Sequence, residues 1–131
     1  MIRYLDTSVF AKTIVDEPDS DGVTTALDGY RGAGDELVSS AILTTELHRL
    51  GHRQGLAPDD VRAALDLIDL VQVTDALLIR AGSFPGRSLR SRDAIHIATA
   101  LEVGADSFLT ADRRQGDAAA AAGLEVVSTL S

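Results

Sequence analysis

The sequence predicts an α/β domain built on a central, mostly parallel sheet of five strands. Three observations carry this expectation. Five short, largely apolar runs have strand length: Ile2–Leu5, Glu36–Ser39, Val71–Val73, Ser107–Leu109 and Glu125–Val127. Segments with apolar residues at helical spacing lie between them. The loops EPDSDG, GYRGAGD and GSFPGRS punctuate the series. Strands that alternate with helices form parallel sheets, because each helix carries the chain back to the end of the sheet from which the next strand starts.

Each element has its own warrant. After Ile2–Leu5 and Asp6, Thr7 or Ser8 is expected to cap a helix running to about Val15. A second helix spans about Ser20 to Tyr30. Ser40 starts a third, with Leu43, Leu47 and Leu50 as a buried stripe and Glu46 near its edge. Pro58 suits the first turn of the next helix, with Asp59 and Asp60 at its positive end. That helix is expected to reach about Leu70, with the third strand at Val71–Val73. Thr74 or Asp75 caps a helix to about Ala81, and Ser91 caps the helix carrying Asp93 and His96. An alanine-rich helix after Asp112 stops at Gly123.

Composition narrows the chemistry. At 131 residues, 1–131 is expected to be a single domain. The absence of cysteine excludes disulfides, thiolate metal sites and cysteine nucleophiles. MIRYLDTS has too short an apolar stretch for a signal peptide, and no run approaches the ~20 apolar residues of a membrane span. A cytoplasmic location away from membranes is the expectation. Net charge is −8, which opposes binding to nucleic acid. The distribution offsets this: residues 1–75 hold 14 acids and 6 bases, residues 76–131 hold 6 of each. Arg87, Arg90 and Arg92 precede Asp93, and Arg113 follows Asp112. Arginine grips phosphate bidentately, so these four are candidate substrate contacts.

Four carboxylates stand out: Asp6 in RYLDTSVF, Glu46 in SSAILTTELHRL, Asp93 in RSRDAIHIATA and Asp112 in SFLTADRR. Each alone also reads as a turn, a helix cap or a solvated acid. Together, each is joined to an apolar element that must be buried, and sites in such sheets form beyond the carboxyl ends of the strands. Several carboxylates at close range disfavour one another's ionised form unless a cation joins them. Oxygen ligands without thiolate suit Mg²⁺ or Mn²⁺ rather than zinc. The natural chemistry is phosphodiester hydrolysis.

Other motifs are excluded or bland. His48 and His52 are four apart, but Arg49-Leu50-Gly51 between them lacks the glutamate of a zinc protease helix. They read as surface. His96 has apolar neighbours and reads as a hydrogen-bonded structural histidine. GYRGAGD lacks the lysine of a phosphate-binding loop, and no serine sits in a nucleophile elbow.

Taken in order, YLDTSVFAK, the Ser40–Leu50 helix, RSRDAIHIATA and FLTADRR resemble the motifs of the PIN-domain ribonucleases, most closely the VapC-type toxins. The resemblance spans nearly the whole chain, and no acidic position is missing. It implies an α/β/α sandwich and metal-dependent endoribonuclease activity on RNA. Asp6, Asp93 and Asp112 would bind the metal directly or through water. Glu46 would bind a second metal or orient the attacking water, with Ser8 and Thr110 supporting by hydrogen bonds. It also implies a VapB-like antitoxin and a homodimer. Two alternatives stay open: a phosphoaccepting receiver-like domain, and a catalytically silent PIN-like adaptor.

Overall fold

The structure is a computed structural model that describes residues 1–128. Its strands are β1 (Ile2–Leu5), β2 (Glu36–Ser40), β3 (Asp69–Val71), β4 (Ser107–Thr110) and β5 (Val126–Ser128). They form one sheet in the order β3-β2-β1-β4-β5, and every pairing is parallel. The helices are α1 (Thr7–Phe10), extended by a 3₁₀ turn over Ala11–Thr13, α2 (Ser20–Gly32), α3 (Ile42–Gln54), α4 (Pro58–Leu65), α5 (Asp75–Gly82), α6 (Ser91–Glu102) and α7 (Arg113–Ala121). No helix among the described residues is long and apolar enough to cross a membrane.

Strand alternation divides the core. Leu5, Leu37 and Leu109 face one side of the sheet, where they pack with Val9, Val23, Leu27, Leu43, Leu47, Val61 and Leu65 from α1 to α4. Tyr4, Val38 and Phe108 face the other, against Ile97 and Ala100 of α6 and Ala119 of α7. This is the period-two pattern of a sheet covered on both faces. The sheet grows outward from β1 toward β3, and from β4 toward β5. The chain therefore reverses direction across the sheet between β1 and β4, the topological position where open α/β sheets place ligands.

Several boundaries differ from the sequence expectation, Ser40 among them, which ends β2 instead of starting α3. The α4 helix ends at Leu65, not Leu70, and the strand is Asp69–Val71. Ile68 keeps the helical rhythm and enters the same core as Leu65, yet it does so from a turn in which its N–H reaches Leu65 O at 3.3 Å. Apolar spacing alone cannot separate a helix from the turn that follows it. The α1 helix is only one turn long, and Asp6, not Thr7 or Ser8, is its cap: Asp6 Oδ1 accepts from Val9 N–H. Ser91 is the first residue of α6, and Arg90 precedes it with no side-chain cap.

Gly51 fixes the approach of α4 to α3. A Cβ built there would lie 2.8 Å from Val61 Cγ2, and Val61 is a buried, β-branched side chain with little freedom to move. Gly51→Ala is expected to destabilise by about 1–2 kcal/mol, since overpacking outweighs the gain in helix propensity. A denaturant titration measures it. A midpoint equal to or above that of the wild type would show that α4 gives way freely.

Candidate active site

The β1 and β4 strands are neighbours, so the residues at their carboxyl ends meet. Asp6 follows β1, and its N–H donates to Leu109 O at 3.1 Å. Its carboxylate is 4 % exposed. Oδ1 accepts from Ser8 Oγ at 2.6 Å and Val9 N at 3.2 Å; Oδ2 accepts from Thr110 Oγ1 at 2.5 Å. Ser8 and Thr110 thus hold Asp6 from two sides. Ser8 Oγ also accepts from Ala111 N, and Thr110 Oγ1 from Asp112 N. Burial pushes the Asp6 carboxyl above its usual range, although the Ser8 and Thr110 hydroxyls, His96 and the Val9 N–H pull the other way. An ionised carboxylate has about four lone-pair sites, and the protein fills three of them here.

Glu46 reaches the same place from α3. Its Oε1 accepts from Thr7 Oγ1 and from His96 Nε2, each at 2.8 Å. His96 is 2 % exposed, and its Nδ1 lies 2.7 Å from the Tyr4 hydroxyl, which is fully buried. Burial raises the Glu46 carboxyl, but the hydrogen bond and charge of His96, the Thr7 hydroxyl and Arg92 outweigh it and bring the net shift below the ordinary value. Burial pushes the Tyr4 phenol far up, so the hydroxyl keeps its proton beside the imidazole.

Asp112 caps α7, with Oδ1 accepting from Arg114 N and Gln115 N. Asp93 lies in the first turn of α6, and its backbone carbonyl accepts from Gln115 Nε2 at 3.1 Å. Gln115 therefore ties the two acidic helix starts together, a role that its sequence position did not announce. The bland reading of Asp6 and Asp112 as caps is correct, and it coexists with a site: each carboxylate keeps lone pairs that the cap does not use.

All four acids line one open cleft of about 440 Å³, together with Ser8, His96, Arg49, Arg53 and Arg92. Among the described residues no three His, Asp or Glu side chains are close enough to cage an ion. The donor set is wholly oxygen. It suits a small hard cation that keeps part of its water shell and takes only one or two carboxylates directly, as magnesium does.

The arginines sort themselves by ion pairing. Arg3, Lys12, Arg31, Arg62 and Arg80 each have a carboxylate partner. Arg49, Arg53, Arg87, Arg90, Arg92, Arg113 and Arg114 are exposed and have none among the described residues. Of the arginines singled out from the sequence, Arg92 lines the acidic cleft and Arg90 an adjoining one. Arg113 faces a separate depression beside β5, and Arg87 lines neither cleft. Arg49 and Arg53 were missed. They recur at helical spacing after Glu46 on the exposed edge of α3, and a helical wheel finds them.

The fold and cleft define a class before they define a protein. The family model of the PIN domain matches residues 3–121, and the chain belongs to the PIN-domain family. Its relatives include ribonuclease VapC46 of Mycobacterium tuberculosis, 38 % identical over 128 residues and 95 % of each chain. Ribonuclease VapC47 of the same species is 32 % identical over 115 residues, 85 % of each chain. Among solved structures, the fold is shared with M. tuberculosis VapC20, described as a sarcin–ricin loop cleaving toxin (TM-score 0.74, 18 % identity, 97 % of this chain and 99 % of that one). It is shared also with VapBC2 of Rickettsia felis bound to promoter DNA (TM-score 0.70, 15 % identity, 98 % of each).

Proposed function

We propose that this chain is a metal-dependent endoribonuclease and the toxin of a toxin–antitoxin pair. The observation that carries the reading is the cleft at the β1–β4 switch point, lined by four carboxylates and by arginines with no carboxylate within ion-pair distance. This distribution answers the objection raised by the net charge. Arg3, Lys12, Arg31, Arg62 and Arg80 are held in ion pairs, whereas five of the seven unpaired arginines, Arg49, Arg53, Arg90, Arg92 and Arg114, line the two clefts and remain available for phosphate.

In this reading Asp6, Asp93 and Asp112 hold Mg²⁺ or Mn²⁺, directly or through water. Glu46 binds a second ion or orients the attacking water, and Ser8 and Thr110 fix Asp6. The ion supplies Lewis acidity at the scissile phosphate and a water of lowered pKa. Glu46 keeps one oxygen, Oε2, for the cleft, because Thr7 and His96 occupy the other. Attack by water leaves a 5′-phosphate and a 3′-hydroxyl. Arg92, beside Asp93, contacts the RNA. Relatives named ribonuclease support the activity, and a structural neighbour that is a VapBC complex supports an antitoxin partner; a VapB-like antitoxin, a homodimer and a cytoplasmic location complete the reading. The receiver-like alternative loses ground on topology, since that fold has strand order 2-1-3-4-5 and this sheet runs β3-β2-β1-β4-β5. The silent adaptor loses ground on the four acids gathered in one cleft.

The test is cleavage of total RNA with magnesium or manganese, with the ends mapped. Cleavage that persists in excess chelator rejects metal dependence, and intact RNA with either metal rejects the nuclease. The toxin reading has its own measurement. Expression of the chain is expected to arrest growth, and co-expression of the product of an adjacent small gene is expected to restore it. Unaffected growth together with an adjacent product that does not bind would remove the toxin role and leave the nuclease standing.

A further inference from the structure

The acidic cleft does not end at Asp93 and Asp112. These two residues and Arg92 also line a second cleft of about 330 Å³, between the Gly86–Arg92 loop and the start of α7. Its chemistry is different. Arg90, Arg92 and Arg114 line it, together with Ser88 and Asp117. None of the three arginines has a carboxylate within ion-pair distance among the described residues. Arg113 and Arg114 both follow Asp112 in the sequence, and only the fold shows that Arg114 is the one that lines this cleft.

All three guanidinium groups are exposed and unpaired, so although Asp93, Asp112 and Asp117 share the lining, their N–H donors stay open to an anion. The start of α6 adds to them. No side chain caps this 12-residue helix, and the N–H groups of Ser91, Arg92 and Asp93 have no protein acceptor among the described residues. Planar, bidentate donors match phosphate oxygens, and the positive end of a helix favours the same charge.

We propose that this second cleft is a phosphate subsite: it holds a backbone phosphate of the RNA strand next to the one at the four carboxylates. The proposal rests on the ribonuclease reading and deepens it, since it gives the strand a path. The chain runs over the Asp93–Asp112 ridge, with Arg92 serving both clefts. Binding energy gathered at the flanking phosphate then positions the scissile one.

The experiment uses the full chain carrying Asp6→Asn, so that RNA is not cut, and a fluorescent mixed-sequence single-stranded RNA in chelator. Anisotropy gives the affinity at several salt concentrations. Arg90→Gln with Arg114→Gln is expected to flatten the plot of log K against log salt by about 0.7 units, the loss of one phosphate contact on a single strand. Arg90→Lys with Arg114→Lys, which keeps the charge, is expected to retain most of the slope. Asp117→Asn, which removes one of the three carboxylates that line this cleft, is expected to tighten binding. Arg62→Gln, on the far and ion-paired surface, is expected to change nothing. If the parent binds RNA and the Gln pair leaves its slope intact, the subsite is overturned while the ribonuclease reading stands. If the parent binds no RNA at any salt concentration, the subsite is overturned, and cleavage of total RNA with metal decides the ribonuclease reading separately.

Discussion

Asp6→Asn is expected to lower RNA cleavage by about a thousandfold or more, while the metal-free protein melts at a higher temperature than the wild type. The loss follows from the charge. A metal ion stabilises a transition state at phosphorus by several kcal/mol, and about 1.4 kcal/mol is tenfold in rate. An amide in place of the central carboxylate removes much of what holds the ion. The gain in stability follows from burial. Asp6 is almost wholly enclosed, and burial, the largest influence on it, lifts its carboxyl above the usual range. A carboxyl whose folded pKa is raised destabilises the fold once pH exceeds that pKa, and the penalty fades as pH falls toward the unfolded value. Asparagine never carries the charge, so the penalty disappears at neutral pH.

The amide fits the existing bonds. Its oxygen takes the place of Oδ1 and still accepts from Ser8 Oγ and Val9 N. Its NH₂ faces Thr110 Oγ1, whose proton turns toward Asp112 O or Ser8 Oγ, at 3.4 and 3.3 Å. Thermal melts from pH 4 to 8, without metal and then with magnesium, read both effects. The variant should exceed the wild type most at neutral pH, the difference should shrink toward acid, and magnesium should stabilise only the wild type. A variant that cuts RNA at the wild-type rate takes Asp6 out of the site.

The residues told much of this in advance, for physical reasons. Strands buried on both faces read as continuous apolar runs, and helices read by period, so the alternation and the parallel sheet were visible. Sheet order was not: nothing local in Tyr4 or Phe108 says that β1 lies beside β4, and that adjacency is what brings Ser8 and Thr110 onto Asp6. The acids were legible because an ionisable group next to an apolar strand is conspicuous. Their partners were less so. His96 was rightly read as hydrogen-bonded and structural, but its bond to Glu46 spans 50 positions and the one from Tyr4 spans 92. Gln115 was missed, and Arg114 could not be told from Arg113, because helix facing near a terminus depends on where the helix begins, and Asp112 as cap sets that start.

The same long-range network carries the second large effect. His96→Leu is expected to destabilise the protein by about 3 kcal/mol, because it removes one partner from two buried or half-buried polar groups at once. The Tyr4 hydroxyl loses the imidazole, and Glu46 Oε1 keeps only Thr7. In a domain of this size that lowers the melting temperature by roughly 10 °C. Cleavage is expected to fall a further 10–100-fold in the protein that remains folded, the usual cost of releasing a ligand's orienting partner. Tyr4→Phe keeps the ring stacked on Phe108, 5.4 Å away, and costs about 1 kcal/mol. The double variant should be less impaired than the sum of the two, since it no longer leaves a buried hydroxyl orphaned. His96→Gln, whose amide N–H can still reach Glu46, should recover part of the activity. The pH dependence gives the sign. In the wild type the Glu46 carboxyl lies below its ordinary value despite burial, so it contributes stability above that value, which is lost as pH falls through its folded pKa. Without His96 the burial that raises it is left with weaker opposition. The deficit of His96→Leu should then be greatest near neutral pH and should narrow on acidification, as Glu46 takes up a proton. A deficit of equal size at all pH values would show that the loss is one of packing, and would leave Glu46 oriented without His96.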